Sequence, residues 1–121
     1  MTRIFLMGLI FLSACDGDKS GDTAEILPES LGQCDADSMV VWSEVEPIFQ
    51  SHCTACHASE LEATDRQGAP VGIDYDQAEH ARLNSELTWQ LIRTGQMPLQ
   101  GTVPFEDAMM VWEWLSCGGP E

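Results

Sequence analysis

Cys53-Thr54-Ala55-Cys56-His57 is the stretch on which the rest of the chain depends. Two thiols separated by two residues, with an imidazole directly after, read as an attachment site for c-type haem. Each thiol can form a thioether with one vinyl group of the porphyrin, and the adjacent imidazole then lies under the iron as its proximal ligand. Two other chemistries share part of this pattern. A structural zinc site would need a second ligand pair, and the chain has no other C-x-x-C, C-x-x-H or H-x-x-x-H. A thioredoxin-like dithiol would need a β-α-β pattern around it, whereas the flanks are spaced as helices.

Upstream of the motif, Ser43-Glu44-Val45-Glu46 matches a capping box and predicts a helix over 43–52. Pro47 falls near its first turn, where a missing N–H costs least. Val45, Ile48, Phe49 and His52 recur at helical spacing and deliver the chain to Cys53. Downstream, residues 58–73 hold no sustained period and contain Gly68, Pro70 and Gly72, which predicts a loop around one side of the haem. Asp74 as cap and Gln77 three residues later predict a second helix over 74–83. Asn84-Ser85-Glu86 opens a third, carrying Leu87, Leu91 and Ile92 inward until Gly95 stops it. Pro104 suits the start of the last helix, and Glu106 and Asp107 suit the positive end of its dipole. Phe105, Ala108, Met109, Trp112 and Leu115 form one apolar stripe along it, and Gly118-Gly119-Pro120 ends it. The expectation is one all-α domain over 34–121, with about four helices around a covalently bound haem.

The chain opens on the basic start Met1-Thr2-Arg3 and an apolar run over 4–12. That run is too short to span a bilayer as an anchor, so 1–14 reads as a secretory signal. Leu12-Ser13-Ala14-Cys15 resembles a bacterial lipobox, which implies cleavage before Cys15 and a lipid on its sulfur. Residues 15–33 then read as the lipidated cysteine and a flexible acidic tether, with Ile26-Leu27-Pro28 as its one apolar interruption. Such a tether spans about 25 Å in the r.m.s. sense. The implied location is periplasm-facing, held to a bacterial membrane by the lipid alone.

Export also accounts for the five cysteines. The lipid takes Cys15 and the haem takes Cys53 and Cys56, which leaves Cys34 and Cys117 as an even pair in an oxidising compartment. A disulfide between them would close a loop worth at most about 4–5 kcal/mol in chain entropy. The formal net charge is −15, and loss of Arg3 with the leader makes it one unit more negative. That balance excludes a nucleic-acid binder and opposes adsorption on anionic lipid beyond the acyl anchor. It favours encounter with a partner that presents a basic patch.

An N-terminal helix leading into C-x-x-C-H, two middle helices, a Gly-x-Met-Pro loop and an aromatic C-terminal helix together resemble a small monohaem cytochrome c. The resemblance covers about 41–117. It implies that the first and last helices cross at an aromatic contact, for which Phe49 and Trp112 are the matching residues. It also implies that His57 Nδ1–H donates to a backbone carbonyl near a downstream proline, with Pro70 at the matching position.

The sixth iron ligand decides the chemistry. Met1 and Met7 leave with the signal, Met109 lies on the core stripe, Met110 lies on the opposite face, and Met39 precedes the first helix. Met97 sits in Thr94-Gly95-Gln96-Met97-Pro98, where Gly and Pro fix the backbone and no core residue is needed. The iron ligands are therefore expected to be His57 and Met97. His52 is too near the thioethers to reach the far face, and His80 is expected on a solvated helix face. His/Met ligation leaves no open site for dioxygen or peroxide, and a neutral thioether raises the potential. The expected function is electron transfer by a lipid-tethered carrier rather than enzymatic catalysis. Two alternatives stay open. One is a haem sensor or peroxidase with a displaceable sixth ligand, although Arg66, Arg82 and Arg93 form no recognisable distal motif. The other is a haem subunit fixed in a larger redox complex, docking through Trp114 and Met110.

Overall fold

A computed structural model describes residues 25–121. The signal over 1–14, the lipidation site Cys15 and the start of the tether lie outside the described residues. A short 3-10 turn (Ala36–Ser38) precedes four helices: α1 (Trp42–His52), α2 (Ala78–Leu83), α3 (Ser85–Arg93) and α4 (Phe105–Ser116). Among the described residues there is no strand, so the fold is all-α, as expected. None of these helices is long and apolar enough to cross a membrane.

α1 and α4 pack together, with α3 against α4 and α2 beside α3. α1 begins one residue before the expected cap. Val41 N–H donates to the Glu44 carboxylate at 2.9 Å, so Glu44, not Glu46, closes the first turn. The helix continues through Pro47 and buries Val45, Ile48 and Phe49. α2 is shorter than predicted. It starts at Ala78 without a side-chain cap, because Asp74 is turned inward to an arginine and does not cap. In α3, Ile92 is buried, whereas Leu87 is about half exposed. Gly95 at φ +72° ends α3 as its position predicted.

α4 is rotated from the expected register. Its buried residues are Ala108, Val111, Trp114 and Leu115, while Phe105, Met109 and Trp112 are only partly covered. Trp114, expected on an outer docking face, is fully buried. It makes the α1–α4 aromatic contact that Trp112 was expected to make. Its ring meets Phe49 edge-on at 5.9 Å, Trp42 covers both at 5.3 Å and 5.7 Å, and Phe49 stacks in turn on Tyr75 at 5.3 Å. Edge-to-face and offset aromatic pairs at such separations each contribute about 0.5–1.5 kcal/mol beyond their burial.

Trp112 faces a segment that the sequence reading assigned to the free tether. Residues 27–32 run without helix or strand, bending at 29–30, across α3 and α4. Backbone outside helix and sheet must find donors for its carbonyls, and side chains of the two helices supply them. Trp89 Nε1 donates to Pro28 O at 3.0 Å, Gln90 and Arg93 both donate to Glu29 O at 3.0 Å, and Trp112 Nε1 donates to Ser30 O at 2.8 Å. Gly32 N–H donates to Ser116 Oγ at 3.0 Å. Leu27 and Leu31 pack on the core beneath this strap. The packed domain therefore begins near residue 27 rather than at Cys34. Cys34 and Cys117 form a disulfide with Cα atoms 4.4 Å apart, joining the end of the strap to the residue that closes α4.

Candidate functional site

The site grows out of the last turn of α1. Cys53 is the C-cap, its N–H donating to Phe49 O at 2.8 Å. One further turn, with Cys56 N–H and His57 N–H both donating to Cys53 O, gathers Cys53, Cys56 and His57 on one wall. Cys53 and Cys56 are free thiols. That wall borders a cavity of about 550 Å³, closed on its other sides by Ile73 and the 66–70 loop, by Leu87, Leu91 and Ile92 of α3, and by Met97, Pro98, Leu99 and Val103. The volume lies in the usual range for small-molecule and cofactor sites, and the apolar lining with few polar groups is typical of them.

Apart from Cys15, each predicted site residue can be located. Cys53, Cys56, His57 and Met97 all line this one cavity. Met97 is held there by its own N–H, which donates to Leu91 O at 3.1 Å as the chain leaves α3. His52 lines the cavity as well, with Nε2 3.6 Å from Asp107 Oδ2. His80 is partly covered rather than fully solvated. Its Nδ1 lies 3.2 Å from Asp74 N and 3.4 Å from Asp74 Oδ2. A neutral ring accepts from the former, and a protonated ring pairs with the latter. Met39 and Met110 are exposed and Met109 is partly buried; none of the three borders the cavity.

The His57 ring is fixed on two sides. Nδ1 lies 2.9 Å from Ile73 O, and a carbonyl can only accept, so Nδ1 carries the proton and Nε2 keeps its lone pair. The ring meets Tyr75 edge-on at 5.2 Å, and Tyr75 N–H donates to His57 O at 2.8 Å. The acceptor is thus Ile73, three residues beyond the expected Pro70, whose carbonyl accepts from an arginine at 2.7 Å.

That arginine, Arg66, is the residue the sequence reading missed. It is only 2 % exposed, and it donates to Ala58 O, Ala69 O, Pro70 O and, at 3.4 Å, Ile73 O. Its Nη2 pairs with Asp74 Oδ1 at 2.5 Å. A loop without helix or sheet has no internal donors for its carbonyls, and one guanidinium fork supplies four of them here. Removing one partner of such a buried pair costs about 3–5 kcal/mol. The available signal was weak: a single arginine in a Gly/Pro-punctuated loop of a chain with only five basic residues.

Burial pushes the Cys53 thiol up to about 12. It also raises Tyr75, with a hydrogen bond to Thr88 pulling the other way and the nearby Cys53 adding to the rise. For Asp76 the upward push from burial is the largest single influence, but hydrogen bonds from Ser59 Oγ and N–H, with its own N–H and nearby His80, together outweigh it, so its carboxyl sits below the usual range. Among the described residues no group of three or more His, Cys, Asp or Glu is placed to hold a metal ion, the arrangement a structural zinc site would need. Comparison of the chain with protein-family models, curated proteins and solved structures gave no match.

Proposed function

We propose that this chain is an electron carrier that holds a covalently attached haem c in the cavity beside α1. In this reading Cys53 and Cys56 supply the thioethers, and His57 and Met97 the two axial ligands. A lipid on Cys15 would tether the protein to a bacterial membrane. The observation that carries the reading is the convergence of these four side chains on one apolar cavity of about 550 Å³. The donor set fits the group: two unpaired thiols, an imidazole whose Nε2 lone pair is left available by the Nδ1–Ile73 bond, and a neutral thioether. Bound there, the haem would supply a one-electron couple. The chain's own part is to fix the His57 ring, hold Met97 through the Leu91 carbonyl, and exclude water with Leu91, Ile92 and Val103. A dry, fully ligated site reorganises little when charge moves through it.

A redox-active dithiol is less well supported. Such motifs lower their reactive thiol at a helix N-terminus, whereas Cys53 closes the C-terminus of α1, where the dipole disfavours a thiolate. Burial raises it further. An open-site peroxidase would need a distal donor, and Arg66, the arginine that borders the cavity, is committed to carbonyls and Asp74. The carrier's acidic surface favours a redox partner with a basic docking patch.

Export with co-expressed haem-attachment machinery tests the proposal. One covalent haem and a low-spin absorption spectrum in both oxidation states are expected. Met97→Ala should keep the thioethers, turn the iron high-spin or ligand-binding, and lower the potential. A wild-type spectrum and potential in Met97→Ala would remove Met97 from the ligand set. Absence of covalent haem would sink the proposal itself.

A further inference from the structure

His57 is not held by Ile73 alone. The Ile73 oxygen has two lone pairs, and it accepts His57 Nδ1–H at 2.9 Å and Arg66 Nη2 at 3.4 Å. The same Nη2 also reaches Asp74 Oδ1 at 2.5 Å and Pro70 O at 2.7 Å. Asp74 is itself buried, at 5 % exposure. A salt bridge with almost no solvent access thus touches the carbonyl that orients the imidazole. In a chain of 20 acidic and five basic residues, placing one of the few cations inside, beside the cavity, is not a solubility device.

We propose that Arg66, paired with Asp74, is a positioning residue for His57, setting the ring's orientation and donor strength by sharing the Ile73 carbonyl with it. The inference rests on the haem reading given above. Outer partners of a metal-binding histidine fix its tautomer and raise its basicity in proportion to how strongly they accept its N–H. A guanidinium that draws on the same oxygen weakens that acceptance, so His57 keeps neutral-imidazole character and ferrous iron is favoured. The cation acts in the same direction through space, and the Asp74 carboxylate moderates it. Lysine cannot reproduce this, because a single ammonium lacks the planar fork that spans four carbonyls and a carboxylate.

The two halves of the pair make opposite predictions, which loosening of the fold would not. Arg66→Met frees the Ile73 oxygen for His57 and removes the cation, so the midpoint potential of the haem-loaded protein shifts down. Asp74→Asn leaves the cation unbalanced, so the potential shifts up. Loosening admits water and lowers the potential in both. The experiment is a redox titration of wild type, Arg66→Met and Asp74→Asn at one pH. The His57 Nδ1–H proton resonance is followed alongside in the reduced state. Should Arg66→Met not accumulate, Arg66→Lys takes its place, with a smaller downward shift. The expected result is shifts of opposite sign, with the Nδ1–H resonance moving downfield in the Arg66 variant. Shifts of the same sign, or an unmoved Nδ1–H resonance, would overturn the positioning role while leaving the haem reading intact. A wild-type chain that takes up no covalent haem would overturn both.

Discussion

Gly32→Ala separates a packed strap from a free tether. A Cβ at Gly32 would lie 2.6 Å from Trp112 Cζ2 and 2.9 Å from Cη2, against about 3.5–4.0 Å for carbons in contact. Ring or strap must therefore yield by about 1 Å. The ring is held by its Nε1 bond to Ser30 O, and the strap by Gly32 N–H on Ser116 Oγ. Whichever moves, one or both bonds go, at about 0.5–1.5 kcal/mol net each. Against this, losing a glycine from the unfolded chain stabilises by about 0.4–1 kcal/mol. The expected balance is destabilisation by about 0.5–2 kcal/mol, read from urea unfolding with the Cys34–Cys117 bond intact. Hydrogen exchange at the Trp112 indole N–H should quicken. Trp112→Phe removes the donor together with part of the indole that packs against Gly32, so it should cost at least the lost bond, about 0.5–1.5 kcal/mol. The reasoning fails if Gly32→Ala is as stable as wild type or more so with indole exchange unchanged, the behaviour of a segment that touches nothing.

Phe49 is 1 % exposed among Trp42, Tyr75 and Trp114, so Phe49→Ala should cost about 3–5 kcal/mol in denaturant unfolding, and a loss under 1 kcal/mol would contradict the aromatic core. Replacing Cys34 and Cys117 together with Ser should lower stability by up to about 4–5 kcal/mol, measured against the oxidised wild type; reductant should have no further effect on the double variant. Asp76 titrates below its ordinary 3.8 in the folded state. Its contribution is therefore complete above that value and lost as pH falls through the lower folded one. Asp76→Asn should therefore lower the neutral plateau modestly and flatten the acid end of the stability profile below about pH 4, where the variant and wild type converge; an acid limb as steep as wild type would refute the Ser59–Asp76 bonds.

Helix existence was legible because local signals carry it. Gly95 and Pro104 punctuate the chain whatever packs on it, and the capping box read at Ser43–Glu46 announced α1 although the turn that forms is closed by Val41 and Glu44. The facing of α4 was not legible, and the reason is physical. Both Trp112 and Trp114 are apolar, and Ala108 and Leu115 fit either of two neighbouring stripes. With residues 27–32 assigned to a free tether, only one face of α4 needed cover, and the wider-spaced stripe through Trp112 looked sufficient. With the strap in place both faces are covered: Trp114 turns to Phe49, and Trp112 turns to Ser30 and Gly32. The strap itself leaves little trace in sequence, because its ties are its own backbone carbonyls, which any residue provides. Only Leu27, Leu31 and the small Gly32 marked it.

The same distinction runs through the site. Cys53, Cys56 and His57 are gathered by one turn of chain, so their spacing alone announced their grouping, and Met97 stood out because Gly95 and Pro98 isolate it from any packing role. Arg66 and Asp74 act across a loop, and four of the arginine's partners are carbonyls of Ala58, Ala69, Pro70 and Ile73, whose side chains record nothing of it. The capping pattern at Asp74-Tyr75-Asp76-Gln77 then drew the aspartate to the wrong task, since an N-cap and a buried counter-ion ask for the same carboxylate. Burial decides between them. A guanidinium 2 % exposed requires an anion beside it, whereas a helix as short as α2 can begin at Ala78 without a side-chain cap. The stronger electrostatic demand took Asp74, and with it set the carbonyl that His57 must use.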